Sequence, residues 1–405
     1  MTGLLKIIQN RFSSHYSILI MVSGAGFFFI ANILLKEILS SEEYSLYSLL
    51  IICLTLLNSF GLLGFEQVFM RIAKIDMPNI IKIEKSILHF VLSSAVITAL
   101  ISSYLANAYY FSDISVIRLS VLFFLTSANM FVYNIFRLNS DFVLAQFAGI
   151  SWKIVIGIMA IFIFELKIDI EFMQILNVVN IALVCTFLIS IGIIMYRIKF
   201  ISIGKYSKGY LLNIGFGFFI SLLSISLLGQ GDKIILERIY GKNSLGDYFF
   251  LANIFMFPFT FLQSYAGFKE LVIFKKRSNI NLNRRILKWL LVGVAMAVCL
   301  EGFYWLIKQL GLADIDLEDT PFIILSLILT GFIRIIYGIL SAFMGANANP
   351  RIIHKANIYS IISIVICIGL IFILPHKLIS ILIVFFLAWL SRVLIWNYNL
   401  KGLNN

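Results

Sequence analysis

The chain has 405 residues, of which 61% are hydrophobic and 13% are charged, and its formal net charge is +12. Because soluble domains carry about 25% charged residues, this composition excludes a soluble globular protein and indicates an integral membrane protein. The apolar runs are long and continuous, whereas the strands of a membrane β-barrel are alternating segments of about ten residues, so a barrel is excluded too.

Twelve apolar runs have the length of about 20 residues that a helix needs to cross a bilayer. In chain order these runs cover 14–39, 44–69, 86–110, 116–136, 142–164, 173–195, 210–239, 244–273, 286–307, 320–344, 356–374 and 378–399. The sequence therefore predicts an all-α polytopic membrane protein with twelve transmembrane helices.

The charged residues are distributed unevenly between alternate connections. With the N-terminus inside, the inner segments hold nineteen basic residues and three acidic ones, and the outer loops hold four basic residues and ten acidic ones. This asymmetry is the positive-inside pattern of membrane proteins, and it predicts that both termini lie in the cytoplasm. The inner basic patches are thus topology signals that also suit anionic lipid, and no nucleic-acid partner is predicted.

Residues that carry metal, redox or nucleotide chemistry do not form motifs in this sequence. The cysteines all lie in predicted spans without a CxxC pair, and the histidines are scattered without paired-ligand spacing: Cys53, Cys185, Cys299, Cys367, His15, His89, His354 and His376. A glycine-rich phosphate-binding loop is absent as well. The sequence therefore predicts no catalytic residue, no metal site and no cofactor.

Two pairs of segments repeat at an offset near half the chain length. LKEILSSEEYSLY at 35–47 matches LERIYGKNSLGDY at 236–248, and GFEQV at 64–68 matches GFKEL at 267–271. The repeat predicts an internal duplication. Since six helices are an even number, both halves enter the membrane from the same side and form two parallel six-helix lobes. We expect lobes at 1–196 and 210–405, a cytoplasmic linker at 197–209, and a site between the lobes that works by alternating access.

Six charged residues inside the spans are candidates for cargo binding, because a charge in the membrane normally faces a cavity or a partner. They are Lys153, Arg334, Arg392, Arg118, Lys233 and Asp232. Arg392 lies between Trp389 and Trp396, which could offer cation–π contacts. The set is mainly basic, so a cavity that it lines would favour an anionic cargo, above all a phosphate or pyrophosphate.

The alternative for each of these residues is a purely structural role, in which the charge pairs with an acid or a carbonyl and holds helices together. Arg118 lies near the outer end of its helix, where its side chain can reach the interface. Lys233 and Glu237 are spaced as an i,i+4 ion pair. Both readings stay open at this point.

The segment DKIILERIYGKNSLGDYFFLANI at 232–254 resembles a helix junction of the polysaccharide repeat-unit (O-antigen, Wzx-type) flippases, within the multidrug/oligosaccharidyl-lipid/polysaccharide (MOP) exporter superfamily. The shared pattern consists of Asp232, Lys233, Gly246, Tyr248 and Ala252. The connection GANANPRIIHK at 345–355 is similar to a small-residue-then-basic loop of these proteins. In the first lobe the pattern is weaker, because Ser45 replaces the glycine and Ala31–Asn32 align with the Asp–Lys pair.

The resemblance implies a MATE-like fold and no enzymatic activity. It implies a flippase that moves undecaprenyl-pyrophosphate-linked oligosaccharide repeat units across the bacterial cytoplasmic (inner) membrane, for O-antigen (lipopolysaccharide) or capsule biosynthesis. The implied partners are the lipid-linked glycan and the bilayer, with a polysaccharide polymerase and a chain-length regulator as candidate partner proteins.

Three other functions remain open on the sequence. A MATE-type drug or cation antiporter would share the fold but usually carries an acid in the middle of the membrane, whereas the acids here crowd the helix ends. A lipid II flippase usually has helices beyond the twelfth. A membrane-embedded polysaccharide polymerase or ligase needs an outer region for its chemistry, and the longest outer loop contains DIDLED at 314–319, whose Asp-x-Asp pair could hold a divalent metal.

Overall fold

The computed structural model describes residues 2–77, 79–276, 281–312, 315, 317–348, 350–375 and 377–401. Contacts between residues divide the chain into two compact units, an N-terminal unit of residues 1–226 and a C-terminal unit of residues 227–405. The division falls inside one long helix, 208–240, and each unit is described by itself.

The N-terminal unit begins with α1 (Thr2–Ile38) and leads into α8 (Lys208–Tyr240), which crosses into the next unit. The elements between them are α2 (Ser41–Phe60), α3 (Phe65–Ile72), β1 (Lys74–Met77), β2 (Ile80–Ile83), α4 (Lys85–Tyr109), α5 (Val116–Leu138), α6 (Phe142–Leu166), α7 (Phe172–Arg197) and β3 (Lys199–Ser202). The C-terminal unit continues with α9 (Lys242–Phe255), α10 (Phe257–Lys276), α11 (Leu282–Gln309), α12 (Thr320–Asn347), α13 (Pro350–Gly369), a 3-10 turn (Leu370–Phe372) and α14 (Leu378–Lys401).

Within the described residues, eleven helices are long and apolar enough to cross a membrane, and a bent pair of helices completes a twelfth span. The predicted all-α fold with twelve spans is therefore confirmed, and the chain is a multi-pass membrane protein. The bent pair replaces the single helix expected at 244–273: α9 and α10 meet at an angle of 41°. Pro258 follows the break and lacks the N–H group that would continue the hydrogen bonding of α9.

The helix expected at 44–69 is also interrupted, although α2 and α3 together still form one span, 41–72. Leu63 and Gly64 adopt left-handed backbone conformations with φ of 49° and 79°. A side chain at Gly64 would meet the backbone of α8, because its Cβ would lie 2.7 Å from the Phe219 nitrogen and 2.8 Å from the Gly215 oxygen. The absence of a Cβ thus permits both the turn and the close approach.

A three-stranded sheet, in the order β1-β2-β3, lies within the N-terminal unit and was not expected from the sequence. β1 and β2 are antiparallel, whereas β2 and β3 are parallel. Ile81 and Ile83 of β2 are buried in the core of this unit. Strands of four residues are too short for their alternation to be recognised among basic connections, which is why the pattern was missed.

The sheet ties part of the expected linker, 197–209, to the N-terminal unit. β3 contributes the third strand, and the Glu84 carboxylate accepts hydrogen bonds from the backbone N–H groups of Lys205 and Tyr206. The lobe boundaries 1–196 and 210–405 stay a prediction.

Small residues allow close helix packing in both units, as is usual in membranes. In the N-terminal unit, α6 approaches α1 at Gly157, where a Cβ would lie 2.6 Å from the Phe27 carbonyl oxygen. In the C-terminal unit, α12 approaches α10 at Gly338, where a Cβ would lie 2.9 Å from the Gln263 carbonyl oxygen. These contacts bring polar side chains of neighbouring helices within reach of each other.

Candidate functional site

Two charged residues of α8 lie side by side in the C-terminal unit. Asp232 and Lys233 are both buried, at 8% and 7% exposure. The Lys233 ammonium is 3.4 Å from Asp232 Oδ1 and donates a hydrogen bond of 3.2 Å to the Gly229 carbonyl oxygen. Lys233 therefore pairs with its neighbour, and the expected i,i+4 pair with Glu237 is not formed. The ion pair between Lys233 and Asp232 compensates both charges in the protein interior.

The second element of this site is Tyr248 on α9, which is fully buried. Its hydroxyl donates a hydrogen bond of 2.5 Å to Asp232 Oδ2. Asp232 thus accepts from Lys233 through one oxygen and from Tyr248 through the other. The Asp–Lys part of the sequence motif, on α8, and the Gly-x-Tyr part, on α9, are therefore joined by this hydrogen bond.

Arg334 on α12 supplies the third charge. Its Nε donates a hydrogen bond of 3.1 Å to Gln263 Oε1 on α10, and its guanidinium carbon lies 5.0 Å from the centroid of the Trp389 ring. Arg334 also interacts electrostatically with Asp232. The Trp389 ring is itself fixed, since its Nε1 donates to the Leu228 carbonyl oxygen at 3.1 Å.

These residues, which we term the α8 cluster (Asp232, Lys233, Tyr248 and Arg334), line a small cavity together with Ser326 and Thr330. Its water-accessible volume is about 20 Å³, which accommodates roughly one water molecule. One acid and two bases leave the cluster with a net positive charge. The arrangement presents cationic hydrogen-bond donors in a space that is large enough for a water molecule and too small for a sugar.

Arg392 on α14 occupies a different environment in the same unit. It is fully buried, donates to the Tyr337 hydroxyl at 2.9 Å and to Asn357 Oδ1 at 3.5 Å, and lies 4.8 Å from the centroid of the Tyr337 ring. The Trp396 ring is 5.8 Å away, as the sequence suggested, whereas Trp389 faces Arg334 instead. Arg392 is therefore packed among aromatic rings and does not line the cavity of the α8 cluster.

Tyr337 connects the surroundings of the two arginines. Its ring forms edge-on contacts with Trp389 and Trp396, at centroid distances of 5.6 and 5.3 Å. The rings of Trp389, Tyr337 and Trp396 thus form one aromatic group. The Arg334 guanidinium lies against Trp389, and the Arg392 guanidinium lies against Tyr337 and Trp396. Rings with a negative face stabilise cations on both sides, which explains how two guanidinium groups are accommodated in one unit.

The N-terminal unit holds the other two candidates, in separate places. The Lys153 ammonium on α6 lies 5.2 Å from the centroid of Phe28 and 5.5 Å from that of Trp152. Among the residues that the structure describes, Lys153 has no carboxylate within ion-pair distance. Arg118, in the first turn of α5, donates to Asn177 Oδ1 on α7 and links the two helices.

The structure therefore brings together three of the six predicted residues: Asp232, Lys233 and Arg334. Sequence reasoning did not connect Arg334 with Gln263 and Trp389, which orient it, since Trp389 was assigned to Arg392, and it treated Tyr248 only as part of a motif. The Gly-x-Tyr pattern was a usable signal for Tyr248. No pattern within one helix could have indicated the contacts that Gln263 and Trp389 make with another.

Metal binding has no support in the part of the chain that is described, where no group of three His, Cys, Asp or Glu side chains converges. The hypothetical metal pair of the DIDLED loop, Asp314 and Asp316, lies outside the described residues. His376 lies outside them as well.

No protein-family model matches the sequence, and no curated protein matches it significantly. Among solved structures, the lipid II flippase MurJ in an inward closed conformation is similar with a TM-score of 0.67 and 15% identity, over 95% of this chain and 87% of that one. An outward-facing multidrug resistance MATE family transporter of the MOP superfamily gives a TM-score of 0.56 and 13% identity, over 96% and 94% of the two chains.

A MOP superfamily transporter from Pyrococcus furiosus, described as having a binding pocket of reverse polarity, also gives a TM-score of 0.56, at 13% identity over 96% of this chain and 94% of that one. At these identities the comparisons establish the architecture. The chain has the fold of MurJ and of the MATE transporters of the MOP superfamily.

Proposed function

We propose that this protein is a flippase for undecaprenyl-pyrophosphate-linked oligosaccharide repeat units of a surface polysaccharide, such as O-antigen or capsule, and that it works by alternating access in the bacterial inner membrane. Both termini would lie in the cytoplasm. The sugar would occupy a cationic cavity while the polyprenyl chain stays in the bilayer. A polymerase and a chain-length regulator would act on the product.

The observation that supports this proposal is a surplus of positive charge inside membrane-spanning helices. In the α8 cluster, Lys233 and Arg334 are opposed by the single acid Asp232. Lys153 is surrounded by aromatic rings and has no acidic partner among the described residues. Charges inside a membrane are expensive and usually serve a cargo or a partner. Unbalanced cations favour an anionic cargo, and a pyrophosphate can accept several charge-assisted hydrogen bonds from them.

The similarity to a solved lipid flippase supports a lipid-linked cargo but does not identify the glycan. MurJ is a lipid II flippase, and its fold is shared with this chain. The repeat-unit flippase is the member of this superfamily to which the Asp232–Ala252 pattern points. The sequence contains no nucleotide-binding motif, so transport would proceed without ATP hydrolysis by this chain.

A MATE-type antiporter is the second candidate, since MATE transporters share the fold. An antiporter for cations needs an acid that can release one partner and take up another. Asp232 is the buried acid best placed for that role, yet Lys233 and Tyr248 already occupy both of its oxygens. This arrangement favours the flippase.

The proposal is tested by complementation of a strain that lacks its repeat-unit flippase. We expect Lys153→Ala and Arg334→Ala to abolish surface polysaccharide while the protein is still expressed in the membrane. Lys167→Ala, at the exposed end of α6, is the matched control and should complement fully. Lipid-linked repeat units should accumulate on the cytoplasmic face of the knockout; accumulation on the periplasmic face would point to a polymerase or ligase instead.

A further inference from the structure

An apolar groove lies between α12 and α14, within the C-terminal unit. Its volume is about 340 Å³, at the lower end of the range of about 300–1,000 Å³ for small-molecule pockets. Among the described residues that line it, only Ser326 is polar. Five large apolar side chains of its walls are exposed, and we term this space the α12–α14 groove: Phe322, Leu325, Leu329, Ile383 and Leu387.

The groove occupies the N-terminal halves of the two helices. Its residues fall at 322–329 and 379–387, whereas α12 ends at Asn347 and α14 at Lys401. Further along, the helices close against each other, since the ring centroids of Tyr337 and Trp389 are 5.6 Å apart. The groove therefore stops short of the aromatic group that surrounds the two arginines.

Two residues line both the α12–α14 groove and the cavity of the α8 cluster, and we term them the portal: Ser326 and Leu382. From Ser326, α12 continues with Thr330 and Arg334 at intervals of four residues, which places the three side chains on one face of the helix. All three line the cavity. Two hydroxyl-bearing residues thus lead from the apolar groove to a guanidinium, about 12 Å along the helix axis.

The groove and the cavity together match a molecule with one long apolar chain and a compact anionic head. Lys233 and Arg334 outweigh the single acid Asp232, so the cluster favours an anion. In a phospholipid, a glycerol group with two acyl chains separates the phosphate from the hydrocarbon. In a polyprenyl pyrophosphate, the phosphates are attached directly to a single chain. Charge and shape therefore favour the polyprenyl pyrophosphate.

We propose that the α12–α14 groove binds the isoprenoid chain of a polyprenyl pyrophosphate next to its head, and that the phosphates reach Arg334 through the portal. This inference rests on the proposed function, because it assigns a place to the chain of that cargo. The cavity holds only about one water molecule, so the Leu382 side chain must turn aside for the phosphates to enter. The charge asymmetry predicts that the N-terminal ends of both helices lie outside. The groove would thus hold the lipid on the outer side of the membrane.

The test is native mass spectrometry of the full chain with undecaprenyl pyrophosphate, undecaprenol and dioleoyl-phosphatidylglycerol as probes. The groove variant is Leu325→Trp/Ile383→Trp, which fills the space from both walls. Its matched control is Leu291→Trp/Ile366→Trp, on exposed positions of α11 and α13 in the same unit. We expect the groove variant to retain both polyprenyl lipids roughly tenfold less than wild type and control, the effect of about two buried CH₂ groups.

A second variant, Arg334→Gln, tests where the head lies. Wild type should retain undecaprenyl pyrophosphate in preference to undecaprenol, because only the former carries phosphates for the cluster. Arg334→Gln should retain undecaprenol as wild type does and lose this preference. Equal retention of the two lipids by the wild type would contradict the passage of the head through the portal.

Unchanged retention by the groove variant would overturn the proposal, and so would an equal loss in the control. An equal loss of phosphatidylglycerol and undecaprenyl pyrophosphate from the groove variant would overturn it too, because the groove would then hold an ordinary phospholipid. Binding and transport are measured separately. A wild type that binds in the groove without moving the glycan refutes the proposed function alone, whereas a transporting wild type with no groove effect refutes this inference alone.

Discussion

The Tyr248 hydroxyl donates a hydrogen bond to Asp232, whereas the hydroxyl of its repeat counterpart, Tyr47, is buried without a hydrogen-bond partner among the described residues. The difference follows from one substitution in the repeat, since Ala31 aligns with Asp232. Both tyrosines are fully buried. The aspartate–tyrosine hydrogen bond of the α8 cluster is therefore not reproduced at the aligned positions of the N-terminal unit.

Tyr248→Phe should lower the stability of the protein, because it leaves the buried Asp232 carboxylate without one of its two donors. Losing a hydrogen bond to a buried charged group costs about 1–3 kcal/mol. Thermal unfolding in detergent measures the effect. Tyr47→Phe is the control and should melt close to wild type; equal losses in both variants would show that the hydrogen bond is not the cause.

Lys233→Met should destabilise the protein by about 3 kcal/mol, since breaking a buried ion pair leaves an uncompensated charge. The double variant Asp232→Asn/Lys233→Met should lose less unfolding free energy than the sum of the two single variants, because both charges of the ion pair are removed together. Unfolding curves of the four proteins form the cycle. Strict additivity would mean that the two side chains do not interact.

Arg334→Lys should abolish complementation even though the charge is kept. The Arg334 guanidinium lies over the Trp389 ring while its Nε donates to Gln263, and an ammonium group cannot do both. Trp389→Phe retains an aromatic face and should keep partial activity, measured as surface polysaccharide at equal expression. Full activity of Arg334→Lys would reduce the role of this residue to its charge.

Gly157→Val should prevent stable assembly of the N-terminal unit, because its side chain would meet the Phe27 backbone of α1 at 2.6 Å. Backbone cannot move aside as a flexible side chain can, so the cost exceeds ordinary overpacking of about 1–3 kcal/mol. Gly192→Val on α7 is the control, since a Cβ at this position would have no atom within 4 Å. Membrane yield and melting temperature of the two variants should separate clearly.

The spans could be predicted from the sequence because each is an apolar run long enough to cross the bilayer. The interruptions at Gly64 and before Pro258 were missed, since hydropathy continues across them although the backbone does not. The sheet was missed because its strands are short and lie in basic connections. Its stability depends on pairing between segments far apart in the chain, such as Ile81 with Phe200.

The candidate site was predictable to the extent that isolated charges within apolar helices are conspicuous. Asp232, Lys233 and Arg334 were found in this way, and they do meet. Arg392 was found by the same criterion, but its partners Tyr337 and Asn357 come from two other helices. Helix packing decides which charges line a cavity and which are enclosed by aromatic rings. The hydropathy of a single segment does not determine that packing.

The central claim is tested most directly by transbilayer movement in proteoliposomes that contain the purified protein and polyprenyl-pyrophosphate-linked repeat units from a knockout strain. Exposure of the glycan to an added, membrane-impermeant glycosidase reports the movement. We expect the wild-type protein to accelerate the movement of the glycan and the folded variant Lys153→Ala/Arg334→Ala to leave it at the rate of protein-free liposomes. Equal rates for variant and wild type, or no acceleration by the wild type, would contradict transport through a cationic site.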